Sequence, residues 1–196
     1  MAATHGRRQL RLRRWDYSRP ACYSITISTL NSAHLLGEVV RGEMRLNATG
    51  HIVADCWRWL GTHFADVTLD EWTLMPTHMH GIVRLSPPAA HGENVVAGER
   101  PRLKPLGGVI GAFKTRSTKE VNRLRGTPGA ALWQRGYWER VIRDEYELSR
   151  AREYIRRNPR RYRPRTYTVP DDDDADGVGA AREPPRDDTR IPPVRR

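Results

Sequence analysis

Apolar and polar residues alternate through CYSITIST (22–29), where aromatic and β-branched side chains recur, and this predicts a strand that packs one face. LLGEVVRGEMRL predicts a hairpin with Arg41 and Gly42 as its turn. The period then changes. Ile52, Val53, Cys56 and Leu60 in NATGHIVADCWRWL recur at helical spacing behind Thr49, a residue type that caps helices. Strand patterns return in ADVTLDEWTLMP and HMHGIVRL, separated by Pro76, which cannot donate to a ladder and so fits a bend. LGGVIGAFKTRSTKEVNRLRG predicts a second helix, with Val109, Ile110, Phe113 and Val121 as its apolar stripe and Lys114, Arg116 and Lys119 facing out. ALWQRGYWERVI predicts a further strand and DEYELSRAREYIRRNP a third helix. The acidic start of that helix, at Asp144 and Glu145, and its Arg-rich end both suit the helix macrodipole, and Pro159 is expected to stop it.

Short links between strands demand antiparallel neighbours, so the expected class is α+β: a mainly antiparallel sheet with helices packed on it. The flanks differ from this body. Residues 1–20 form a basic arm, and 163–196 a tail of clustered charge, Pro and Gly that reads as disordered, leaving one folded domain over 21–162. Several Pro and Gly residues between 87 and 105 predict a long loop.

Charge sharpens the picture. Against 23 Asp and Glu stand 34 Lys and Arg, a formal net charge of +11, and the excess is mostly Arg, whose planar fork suits phosphate and base edges. Nucleic acid is the expected partner. No run of about eighteen apolar residues could span a bilayer, and the basic N-terminus is not followed by an apolar signal core, so a cytoplasmic, nucleoid-associated protein is expected. Cys22 and Cys56 lack the spacing of a zinc or redox pair and read as two buried thiols.

The stretch MPTHMHGIV (75–83) carries the candidate chemistry. Residues i and i+2 of a strand point the same way, so His78 and His80 share one face while Met79, Gly81, Val83 and Leu85 form the other, apolar face. Two neutral imidazoles side by side are a partial ligand set for a divalent metal, although the spacing alone fits two unrelated surface histidines equally well. On the third helix Tyr154 and Asn158 stand four apart on one face, beside an apolar stripe of Leu148, Ala151 and Ile155. Tyr154 therefore lies at the seam between core and solvent, where a packed tyrosine with a wetted hydroxyl is the plain alternative to a reactive one.

Taken together, HMH on a strand and YIRRNP on a basic helix resemble the REP-associated tyrosine transposases, single-tyrosine HUH nucleases related to the transposases of small insertion sequences. The resemblance spans residues 7–162 and several ordered blocks, including DYSRPACYSITI, GEVVRGEMRLNATGHIV and LDEWTLMPTHMHGIV. It implies a ferredoxin-like antiparallel sheet, His78, His80 and Asn158 as ligands of Mg²⁺ or Mn²⁺, and Tyr154 as nucleophile on single-stranded DNA. The implied substrates are repetitive palindromes that fold into hairpins. Strands would be cut and rejoined through a 5′-phosphotyrosine. Two departures from the family pattern are Thr77, where Asn is common, and YWER (137–140), where YYEH is common.

The side chains expected to hold DNA are Arg13, Arg14 and Trp15 in the arm, Lys114, Arg135, Trp138 and Arg140, and Arg150 and Arg157, which flank Tyr154 on adjoining helical turns. Two other functions fit the same residues: a DNA-binding regulator without chemistry, and a metal-dependent hydrolase that uses water and no covalent step.

Overall fold

In the computed structural model, which describes residues 19–87 and 103–163, β1 (Ala21–Ser28) and β5 (His78–Leu85) are the inner strands of a four-stranded sheet. β4 (Val67–Met75) and β6 (Trp138–Ile142) are its edges, so the order is β4-β5-β1-β6, with every pairing antiparallel. The hairpin of β2 (Gly37–Val40) and β3 (Glu43–Leu46) stands apart as a second sheet. With α1 (Ala48–His63) between β1 and β4, and α2 (Leu106–Arg125) between β5 and β6, the main sheet has the βαββαβ order of a ferredoxin-like fold. A further helix, α3 (Glu145–Arg161), follows β6. Among the described residues no helix is long and apolar enough to cross a membrane.

Strand alternation sorts the side chains into two layers. Tyr23, Ile25 and Ile27 of β1 join Met79, Val83 and Leu85 of β5 on the face covered by α1 and α2. There Trp57 of α1 meets Phe113 of α2 edge to face at 5.2 Å, and Phe113 lies 5.5 Å from Trp133. The opposite face carries a smaller cluster in which Ile82 and Ile142 receive Leu148, Ala151 and Ile155 of α3. Both faces are thus covered, as the apolar stripes of all three helices require.

Local chemistry explains the boundaries. Arg41 and Gly42 both have positive φ, 52° and 81°, as the tight hairpin turn between twisted strands demands. The first helix is capped by Asn47, whose side chain accepts from the Gly50 N–H at 2.9 Å; Thr49, the expected cap, lies inside the helix. An amide in extended backbone at that position reaches the exposed N–H groups, which a residue already in the first turn cannot do. The expected strand over 131–142 shrinks to β6, because 132–134 make only an isolated bridge, with Gln134 and Leu132 bonding to Ser28 at the end of β1 and to Leu30 just past it, and Gly136 turns the chain at φ 74°. Pro159 does not stop α3, which runs on to Arg161. So near the end, a missing N–H forfeits one helical bond and leaves little helix to break. Cys56 is buried, whereas Cys22 is only half-buried. The basic arm with Arg13, Arg14 and Trp15, most of the 87–105 segment and nearly all of the charged tail lie outside the described residues.

Gly81 shows how tightly β5 is held. A Cβ placed there would lie 2.7 Å from Cζ2 of Trp57, so the indole packs directly on strand backbone. Gly81→Ala should therefore destabilise the domain by about 2 kcal/mol, a fall in Tm of roughly 5 °C, because Trp57 is fully buried and has nowhere to move. Thermal denaturation of the variant against the parent measures it; an unchanged Tm would contradict the packing described.

Candidate active site

His78 and His80 stand on the α3 face of β5, as their spacing predicts, and both are buried rather than on the surface. Their rings meet edge to face with centroids 4.8 Å apart. Strand register places His80 in a row across the sheet, between Thr73 of β4 and Thr26 of β1, with Trp138 of β6 beyond. Nδ1 of His80 lies 2.9 Å from Oγ1 of Thr26, and Nδ1 of His78 lies 3.0 Å from Oγ1 of Thr77. The departure at Thr77 thus supplies a partner for His78. In the tautomer that keeps the lone pair on Nε2, Nδ1 carries the proton and donates to the threonine oxygen, which orients each ring. The preceding turn is itself pinned. The Pro76 carbonyl accepts from the Leu35 and Leu36 N–H groups, and the Thr77 carbonyl accepts from both the N–H and the hydroxyl of Thr29.

The Tyr154 ring stands 5.4 Å from that of His80, edge to face. Tyr154 is half-buried against the small apolar cluster, at the seam its sequence position predicts. Asn158 follows one turn later on the same helical face, also half-buried. The fold therefore brings a strand-borne histidine pair and a helix-borne tyrosine together.

What sets α3 in place could not be read as a motif. Between Leu69 and Trp72, β4 has one residue more than β5, so Asp70 and Glu71 both oppose Ile82. Ordinary alternation would send neighbours to opposite faces; the bulge lets both carboxylates reach α3. Asp70 accepts from Nε and Nη2 of Arg152 at 2.8 and 2.6 Å, and Glu71 pairs with Arg156 at 3.1 Å, one helical turn on. At the other end Asp144 caps the helix by accepting from the Glu147 N–H at 2.7 Å. The Glu147 carboxylate in turn accepts from Nη2 of Arg140 at 2.9 Å and from the Arg143 N–H at 3.0 Å. The sequence signal for the bulge is the adjacent acidic pair in LDEW, which interrupts the alternation of the strand.

The expected DNA-holding residues divide. Trp138 and Arg140 lie on the His80 face, and Arg150 and Arg157 are exposed along α3. Arg140 is bound to Glu147 and Arg157 pairs with Glu153 at 2.8 Å. Lys114 and exposed Arg135 belong to the other side of the sheet, with α2 and the segment that follows it. Lys114 does not face out: its ammonium donates to the Gln134 and Gly136 carbonyls, and burial lowers its pKa to about 8.

The donor set fits a divalent cation. Burial, and then the neighbouring His78, hold the His80 pKa well below its usual 6.5, which keeps the ring neutral. Its Nε2 is buried with no hydrogen-bond partner among the described residues. No group of three or more His, Cys, Asp or Glu able to hold a metal occurs there either, so a third protein ligand beside the pair would have to come from another residue type, such as the Asn158 amide.

The α3 anchor makes a testable demand on pH. The hydrogen bond from Arg152 is the largest cause holding the Asp70 carboxyl below its usual 3.8. Folding favours the charged form, so the stabilisation is complete above the unfolded value and is lost as pH falls through the lowered one. Asp70→Asn should cost about 1 kcal/mol at neutral pH, and the Tm gap between variant and parent should narrow as pH drops from 7 towards 3. A gap that stays constant across this range would remove Asp70 as the anchor.

No protein-family model matches the chain. A protein of Haemophilus influenzae, described only as uncharacterized, is 32% identical over 165 residues, which cover 81% of this chain and 91% of that one. Among solved structures, a REP-associated tyrosine transposase bound to a REP hairpin matches with a TM-score of 0.51 at 17% identity, over 76% of this chain and 72% of the other. The chain thus belongs to one family with the Haemophilus influenzae protein, and its fold is that of the REP-associated tyrosine transposase.

Proposed function

We propose that this protein is a metal-dependent single-stranded DNA endonuclease and strand transferase that cuts and rejoins DNA beside hairpin-forming palindromes. The observation that carries the reading is the Tyr154 ring standing against His80 of the buried histidine pair, on the α3 face of a transposase fold. A solvated surface tyrosine would need no such neighbour. Mg²⁺ or Mn²⁺, held by His78, His80 and Asn158, would draw charge from a non-bridging oxygen of the scissile phosphate and orient it.

The remaining work falls to the chain's own groups. The phenol oxygen of Tyr154 attacks phosphorus as its proton is lost, the bond to the 3′-oxygen breaks, and that oxygen leaves as a 3′-hydroxyl after taking a proton. A 5′-phosphotyrosyl bond remains. Because it conserves the energy of the phosphodiester, another 3′-hydroxyl can reverse the step and join strands. Phenol with a pKa of about 10 is a weak nucleophile at neutral pH, so positioning matters: Leu148, Ala151 and Ile155 seat the helix, and Arg152 and Arg156 fix it to the bulge. The net charge of +11 draws the polyanion in, and binding should weaken steeply with salt.

Incubation with labelled single-stranded hairpin DNA and Mn²⁺ should give a denaturant-stable protein–DNA adduct. Tyr154→Phe should still bind DNA but lose adduct and cleavage by a factor on the order of 10³ or more. His78→Ala and His80→Ala should cleave weakly and recover in part at high Mn²⁺, since mass action offsets a lost ligand but not a lost nucleophile. Asn158→Ala should behave like them, more mildly. Thr26→Val, which removes the partner of His80 Nδ1, should cost roughly 10–100-fold in metal affinity. Cleavage by Tyr154→Phe at the parent rate would point instead to hydrolysis by water, and hairpin binding with no cleavage at all to a DNA-binding regulator.

A further inference from the structure

Beside Tyr154 a pocket of about 280 Å³ opens between α3, β1 and β6. Ser24 of β1 and Ile142 of β6 line one side, Arg140 and Glu147 another, and Ala151 with Tyr154 the helix side. Nothing in the proposed phosphoryl-transfer step uses it. Yet Ser24 is 1% exposed, and its Oγ has no hydrogen-bond partner among the described residues. A buried hydroxyl left unbonded costs about 1–3 kcal/mol, so a group that reaches it from the pocket would recover that loss.

From this geometry we infer that the pocket receives one unpaired guanine base of the single strand, next to the phosphate that Tyr154 attacks. This rests on the reading of single-stranded DNA as the substrate. A pocket this size lies at the small end of ligand sites and suits one base rather than a stacked pair.

Four arginines and two glutamates line it, and Glu147 and Glu153 are each paired with an arginine, Arg140 and Arg157 respectively, so its wall sets donors and acceptors side by side. A neutral ring with donors and an acceptor on one edge is the complement of a guanidinium–carboxylate pair. Guanine presents O6 beside N1–H and N2–H₂. The Arg140 guanidinium can donate to O6, while each Glu147 oxygen, already accepting one bond, keeps a second lone pair for N1–H and N2–H. Adenine and cytosine offer a carboxylate only the exocyclic amine, and thymine only N3–H. Ala151 leaves the space, and Arg150 and Arg161 at the rim face where the adjoining phosphates would run.

The test separates this proposal from the catalytic reading by using the full chain as Tyr154→Phe in EDTA, so that binding is read without cleavage. Fluorescence anisotropy compares short oligo-dT with the same strand carrying one central dG, deoxyinosine, dA or dC. One dG should tighten binding about tenfold over oligo-dT, with deoxyinosine, which lacks the 2-amino group, in between. Adding Ala151→Leu, which fills the pocket, should cut the dG advantage to about twofold or less. Ser24→Ala adds no atoms and so cannot fail for want of room; it should reduce the advantage at least about threefold. Equal affinity for all strands, or a dG advantage that survives both substitutions, overturns the pocket and leaves the DNA reading standing. No binding to any strand overturns both.

Discussion

One extra residue in β4 determines where α3 can lie. Opposite Ile82 the strand carries Asp70 and Glu71 where regular pairing would leave room for one residue, so two neighbouring carboxylates emerge on the same face. The apolar grip of α3 is slight by comparison with the main core. Leu148, Ala151 and Ile155 meet only Ile82, Ile142 and their partly buried neighbours, and burying Leu or Ile contributes about 1.5–3 kcal/mol each. A helix held by so narrow a stripe could slide or roll. Ion pairs from Arg152 and Arg156, one turn apart, set both its register and its rotation. Tyr154 lies between those two arginines in sequence and on the adjoining face, so its distance from His80 follows from the bulge.

The two faces of the sheet are covered by different physics. Under α1 and α2 the inner strands present apolar side chains almost without exception. Under α3 the same strands bury Ser24, Thr26, His78 and His80. Such groups weaken a core unless they are bonded, and a threonine hydroxyl lies against Nδ1 of each ring. Burial also keeps His80 neutral. A layer that concentrates polar atoms where an apolar one would be more stable is the kind of local inconsistency that functional sites show.

Charge works on two scales. Over long range the surplus of +11 attracts a polyanion as a whole. Around Tyr154, Arg140, Arg152, Arg156 and Arg157 each face a carboxylate, while Arg150 and Arg161 line the pocket beside it as well. Paired groups of this kind position and discriminate, leaving attraction to the net field.

Much of this was legible in the chain because it depends on neighbours in sequence. Alternation marked β1 and β5 and put His78 and His80 on one face; helical spacing put Tyr154 and Asn158 together at the edge of an apolar stripe; Arg41 with Gly42, and Pro76, marked their turns. Even locally, competition misled: Asn47 displaced Thr49 as cap, and the turn at Gly136 cut the strand before β6 down to an isolated bridge. The remainder was decided by tertiary structure. Periodicity says which side of an element is apolar, but not which other element covers it. That α3 crosses the histidine face, that the β4 bulge meets Arg152 and Arg156, and that Lys114 turns back onto loop carbonyls all depend on residues distant in sequence. No local pattern encodes such meetings, because each exists only once the sheet has brought its strands into register.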